Sequence, residues 1–189
     1  MKTLKFLSIF LFSGLVLMSC SNDDDNPDPV NEEEVITTLT ATFSPDGGGA
    51  DITMTYQDLD GDGPGVATIT ISGPLAASTT YNGSLDLLNE TETPAESITE
   101  EIEEEDDEHQ FFFSSTGNVG TFAYDDMDGD GNPVGLAFTL TTGVATTGNI
   151  TIILRHEPNK DGEGVSDGDI TNAGGETDIS VTFTNVQVQ

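Results

Sequence analysis

Apolar residues recur at every second position through most of this chain, in short runs broken by Gly, Pro, Asn and Asp. Leu39, Ala41 and Phe43 share one face of an extended segment, as do Ala50, Ile52, Met54 and Tyr56, and Ala67, Ile69 and Ile71. The same alternation returns at Tyr81, Leu85 and Leu87, at Phe111 and Phe113, at Phe122 and Tyr124, and at Val134, Leu136, Phe138 and Leu140. It closes with Ile150, Ile152 and Leu154, then Ile179, Val181 and Phe183. Side chains of a strand alternate between its two faces, so each run predicts a half-buried strand, about nine in all. The expected fold is all-β, an antiparallel sandwich or small barrel.

One segment departs from that period. Thr93-Pro94-Ala95-Glu96 offers an N-cap, a proline at the first helical position and a glutamate at the third, a capping-box start for a short helix carrying Ile98 and Ile102. Glu103 to Glu108 are six consecutive acids that repel one another at a helix C-terminus, so the helix is expected to fray before His109. A solvated acidic loop is the other reading of the same residues.

The N-terminus follows different rules. Lys2 and Lys5 precede an apolar and small-residue stretch from Phe6 to Met18, the n-region and h-region of a secretory signal. Leu17-Met18-Ser19-Cys20 closes it and resembles the lipobox of bacterial lipoproteins, which implies lipidation of Cys20 and removal of residues 1–19. Residues 20–34 carry Asp23 to Asp25, Pro27, Pro29 and Glu32 to Glu34, too polar and too charged to bury a core, and are expected to form an extended tether. The acids after Cys20 are similar to the export signal of Bacteroidota lipoproteins, which implies the outer face of the outer membrane; a plain acidic linker is the alternative. Residues 35–189 remain for a single β domain.

Charge narrows the partners. The chain holds 4 basic and 35 acidic residues; without Lys2 and Lys5, only Arg155 and Lys160 face those 35, a formal charge of −33. Nucleic acid and anionic lipid surfaces are expected to be poor partners, whereas cations and basic surfaces are favoured. Cys20 is the sole cysteine, so once lipidated it leaves no thiol for a disulfide or a nucleophile. No nucleophile elbow, phosphate loop or zinc-protease helix stands out, and the chain is not expected to be an enzyme.

Two constellations could bind ions. Asp58-Leu59-Asp60-Gly61-Asp62-Gly63 and Asp126-Met127-Asp128-Gly129-Asp130-Gly131 repeat the D-x-D-x-D-G spacing, each after a strand ending in Tyr. That spacing lets three carboxylates converge on calcium, although an EF-hand is ruled out because Ile69 and Ala137 occupy the position of its bidentate acid. Polar hairpin turns explain the same residues. The recurrence also predicts one hairpin used twice.

The second constellation contains the only histidines. His109 is in phase with Phe111 and Phe113, and His156 with Ile150, Ile152 and Leu154, each at a strand end on the inward face, with Glu108 and Glu157 beside them. If the strand ends meet, these four residues could hold zinc or another transition metal. Alternatively each histidine caps the core on its own.

Arg155-His156-Glu157-Pro158, followed by Gly168-Asp169-Ile170-Thr171-Asn172-Ala173-Gly174-Gly175-Glu176-Thr177-Asp178-Ile179, resembles small lipoproteins of flavobacteria and their relatives. Such chains are labelled as type 1 periplasmic binding fold proteins and lie beside TonB-dependent transporters, which implies capture of a cation or small ligand for delivery to a transporter. That label also implies alternating strands and helices, whereas strands run through almost the whole of this chain. A structural or adhesive surface module with calcium-stabilised loops is the rival expectation.

Overall fold

The computed structural model describes residues 34–60 and 65–189; the expected signal peptide, Cys20, the tether up to residue 33, and Asp62 lie outside the described residues. Among the described residues ten strands form, each paired antiparallel with its neighbours: β1 (Thr38–Pro45), β2 (Ile52–Gln57), β3 (Thr68–Ile71), β4 (Thr80–Asn89), β5 (Glu96–Ser97), β6 (His109–Ser115), β7 (Gly120–Tyr124), β8 (Ala137–Thr142), β9 (Thr146–His156) and β10 (Glu176–Val188). The larger sheet has the order β3-β2-β1-β4-β8-β7, with β5 added at the end of β4; the smaller has the order β10-β9-β6. Both sheets are open at their edges, which makes the fold a β-sandwich and not a closed barrel.

Alternation in the sequence becomes the core directly. Leu39, Ala41 and Phe43 of β1, Leu87 of β4, and Phe138 and Leu140 of β8 are fully buried against Ile150, Ile152 and Leu154 of β9 and Phe183 of β10. Gly83 sits among them because a Cβ there would run into the Phe138 ring. Three strands cannot cover six, so the edge strand β3 does not become the half-buried strand its alternation predicts; Ile69 is 45% exposed.

The recurring hairpin is present. β2 pairs β3 and β7 pairs β8, with Tyr56 opposite Ile69 and Tyr124 opposite Phe138, and the two hairpins occupy opposite flanks of one sheet.

The helix forms later than the Thr93 capping box predicts. α1 spans Ile98–Glu104, with Ser97 as its N-cap accepting a hydrogen bond from the Glu100 N–H at 3.3 Å. Glu96 and Ser97 instead pair with Asn89 and Leu88, so tertiary pairing claims the residues of the first box and a second one, Ser97-Ile98-Thr99-Glu100, takes over. Ile98 and Ile102 are buried as expected, and the helix ends at Glu104, two residues into the acidic run and before His109. Among the described residues no helix is long and apolar enough to cross a membrane.

Candidate metal centre

β6 begins and β9 ends with histidine, and the antiparallel register sets His109 directly opposite His156. Their ring centroids stand 4.7 Å apart. Both rings follow the inward phase of their strands, and both are buried, at 0% and 5% exposure. The two strand ends therefore meet, the condition on which a shared site depended.

Two acids that the sequence pattern did not single out complete the group. Asp178 should point outward if Ile179, Val181 and Phe183 point inward. A bulge between Thr177 and Ile179 makes it the extra residue of β10, however, and its side chain has 0% exposure. Bulges re-aim side chains in this way. Glu34, assigned to the tether by its acidic neighbours, lies instead at the head of the folded unit with its side chain only 6% exposed. Glu34 Oε1 is 2.7 Å from His109 Nε2, Glu34 Oε2 is 3.4 Å from His156 Nδ1, and Asp178 Oδ1 is 3.8 Å from the same nitrogen. One donor atom from each of Glu34, His109, His156 and Asp178 lies within 4.8 Å of the others.

Electrostatics without an ion are unbalanced. His109 has acceptors on both sides, the Glu105 carbonyl 3.1 Å from Nδ1 and Glu34 at Nε2, an arrangement that favours the doubly protonated imidazolium. Burial opposes that charge, but the hydrogen bonds and the fields of Glu34 and Asp178 outweigh it and raise the His109 pKa. Burial likewise works against the Glu34 carboxylate, yet bonding to His109 holds its pKa below the usual range. At Asp178 the balance goes the other way: burial, reinforced by the charge of the neighbouring Glu34 carboxyl, outweighs the pull of His156 and His109 and pushes its pKa up to about 7. Among the described residues, both Asp178 oxygens, Glu34 Oε2 and His156 Nδ1 are buried without a hydrogen-bond partner. Each such group costs about 1–3 kcal/mol.

A divalent ion would remove the imbalance. Donors around a tetrahedral ion with bonds of about 2.0–2.2 Å stand roughly 3.3–3.6 Å apart, and the spacings here bracket that range, from 2.7 Å between His109 and Glu34 to 3.8 Å between His156 and Asp178. Two carboxylates and two neutral imidazoles supply the −2 charge that leaves a buried divalent site neutral. The Glu105 carbonyl already orients His109 through Nδ1, the role that outer partners play at histidine sites, and leaves Nε2 toward the group. Nitrogen and oxygen donors without thiolate suit zinc and its first-row neighbours.

The other expected ligands separate into two sets. Glu108 Oε2 is 3.7 Å from His156 Nε2, and Glu108, His156 and Glu157 bring donor atoms within 4.8 Å of one another outside the buried group. In the second Asp/Gly loop the acids are already engaged. Asp126 accepts the N–H groups of Gly135 and Ala137 at 2.7 and 2.8 Å, and Asp128 Oδ1 accepts those of Asp130 and Asn132 at 3.0 and 2.8 Å. Asp128 Oδ2 meets Lys160 Nζ at 2.9 Å, so the cation beside this loop is a lysine from the turn after β9, and Asp126 and Asp128 are engaged as in a polar hairpin turn. In the first loop, Asp60 accepts the Gly65 N–H at 2.8 Å, and the Tyr56 hydroxyl lies 3.4 Å from Asp58.

Fold and site together define a β-sandwich domain with a buried donor set of two histidines and two carboxylates at one end of the smaller sheet. No known family, curated protein or solved structure matches the chain.

Proposed function

We propose that this chain is a lipid-anchored protein of the outer-membrane surface that captures a divalent transition-metal ion at Glu34, His109, His156 and Asp178 and passes it to an outer-membrane transporter of the TonB-dependent kind. The observation that carries the metal reading is the buried Asp178 carboxylate, unpartnered on both oxygens and facing two imidazoles. Most buried polar groups have a partner, and a buried carboxylate without one calls for a compensating charge. The charge of −33 supports capture, because an electronegative surface raises the local concentration of cations. The anchor and the location rest on the lipobox-like Leu17 to Cys20 segment and the acids that follow it.

Titration calorimetry of the chelator-stripped protein tests the site. Zinc should bind tightly, and His109→Ala should weaken it by at least about 100-fold, since even groups that only orient a ligand are worth about 10- to 100-fold. Affinity should rise from pH 6 to pH 8, because the ion displaces protons from His109 and Asp178. Zinc uptake that is indifferent to His109→Ala would refute the assignment.

The anchor has its own test. Cys20→Ala should move the protein from the detergent phase to the soluble fraction; a variant that stays with the membrane would rule lipidation out as the means of attachment.

A further inference from the structure

We infer that His156 links the buried centre to a second, surface-facing cation position formed with Glu108 and Glu157, and that ions load through this outer position. The inference rests on the metal reading above and adds a site and a route to it.

The imidazole of His156 is 5% exposed, yet among the described residues neither nitrogen makes a hydrogen bond. Nδ1 faces inward, toward Glu34 and Asp178 at 3.4 and 3.8 Å. Nε2 faces Glu108 Oε2 at 3.7 Å, beyond hydrogen-bond length. One ring thus addresses two carboxylate sets from its two nitrogens, and a neutral imidazole can offer a lone pair from either, depending on tautomer.

The outer set is built by the same ladder as the inner one. The Glu157 N–H donates to the Glu108 carbonyl at 2.7 Å, extending the pairing of β6 and β9 one step past the two histidines. Glu157 is held at φ +48°, a left-handed conformation, while a Cβ on Gly175 would collide with the backbone at His156 and Glu157. The Glu108 side chain is 49% exposed and Glu157 is exposed, so water reaches the outer position but not the inner one. Oxygen donors in water bind weakly and exchange fast, whereas the closed inner set retains its ion. The acids from Glu103 to Asp107 lead up to the outer position and concentrate cations beside it.

Zinc loading of the chelator-stripped full chain, followed by stopped-flow competition with a chromogenic chelator, tests the route. In the parent a fast, weak uptake phase should precede filling of the tight site, because the single lone pair of neutral His156 serves one carboxylate set at a time. Glu108→Gln with Glu157→Gln should abolish the fast phase and slow filling of the tight site about tenfold or more, the size of local charge focusing, with the tight Kd unchanged. Both positions are exposed, so folding is not at stake. Glu103→Gln with Glu104→Gln removes the same charge from the neighbouring run and should slow loading less. Unaltered loading in the Glu108/Glu157 variant, or equal slowing in the control, overturns the route and leaves the buried site standing; absence of tight zinc binding in the parent overturns the metal reading itself.

Discussion

Asp178→Asn should stabilise the metal-free domain at pH 8 and abolish its response to zinc, reversing the order of stability of parent and variant when the metal is added. In the parent, both Asp178 oxygens are buried and unpartnered. An unsatisfied buried polar group costs about 1–3 kcal/mol, and the amide escapes the ionised part of that cost. The pH dependence follows from the sign of the shift. The native pKa of about 7 lies above the ordinary 3.8, so between these values the native chain holds a proton that the unfolded chain has lost. Stability of the parent therefore falls relative to the variant as pH rises from about 4 to about 7, and the gap stays constant above. The raised pKa of His109 acts in the same direction near and above neutrality, since stability from a protonated imidazole is lost as pH rises through its native pKa. Zinc at about 1,000 times its Kd adds about 4 kcal/mol to the parent alone, enough to reverse the order. Thermal melts in chelator and in zinc across this pH range decide it. A variant less stable than the parent in chelator at pH 8 would show that Asp178 supports the fold without an ion.

Lys160→Met should be among the most damaging single changes to the domain. Lys160 Nζ and Asp128 Oδ2 are 2.9 Å apart with side chains 5% and 1% exposed, and the ammonium also donates to the Asp106 carbonyl. It joins the second Asp/Gly loop to the acidic stretch before β6 and to the loop after β9. Burial alone would raise the Asp128 pKa, but Lys160 and the N–H groups of Asn132 and Asp130 outweigh it and hold the carboxyl ionised. Removing the lysine leaves that charge buried and unpaired, a loss of about 3–5 kcal/mol. Asp128→Asn in the same chain should restore most of it, because a missing pair costs far less than half of one. Urea denaturation of the two variants measures both effects. A Lys160→Met protein within about 1 kcal/mol of the parent would mean the pair is solvated. Calcium should not rescue the single variant, since the Asp126 oxygens are already held by Gly135 and Ala137.

Period-two alternation was enough to place nine of the ten strands, because a strand in a sandwich has one dry face and its side chains must obey that period. The tenth, β5, is two residues long and exists only through its pairing with β4, so no local pattern announces it. The same contact moved the helix start from Thr93 to Ser97, although both capping boxes stand in the sequence. Phase also placed His109 and His156 on an inward face at strand ends, but phase carries no information on distance. Their 4.7 Å separation comes from the register of β6 on β9, a property of pairing between residues far apart in the chain.

The two carboxylates of the buried centre escaped the pattern for opposite reasons. Asp178 is turned inward by a bulge that breaks the alternation, and alternation was the only guide to its direction. Glu34 ends an acidic run that by composition belongs in solvent, and only its contact with His109 shows that the fold reaches back to it. Local physics thus determined the strands, the core faces and the histidine phase, since each depends on neighbouring residues in one segment. The joining of Glu34, two histidines and Asp178 from four separate segments was decided by tertiary packing, because long-range register and a bulge set which side chains meet.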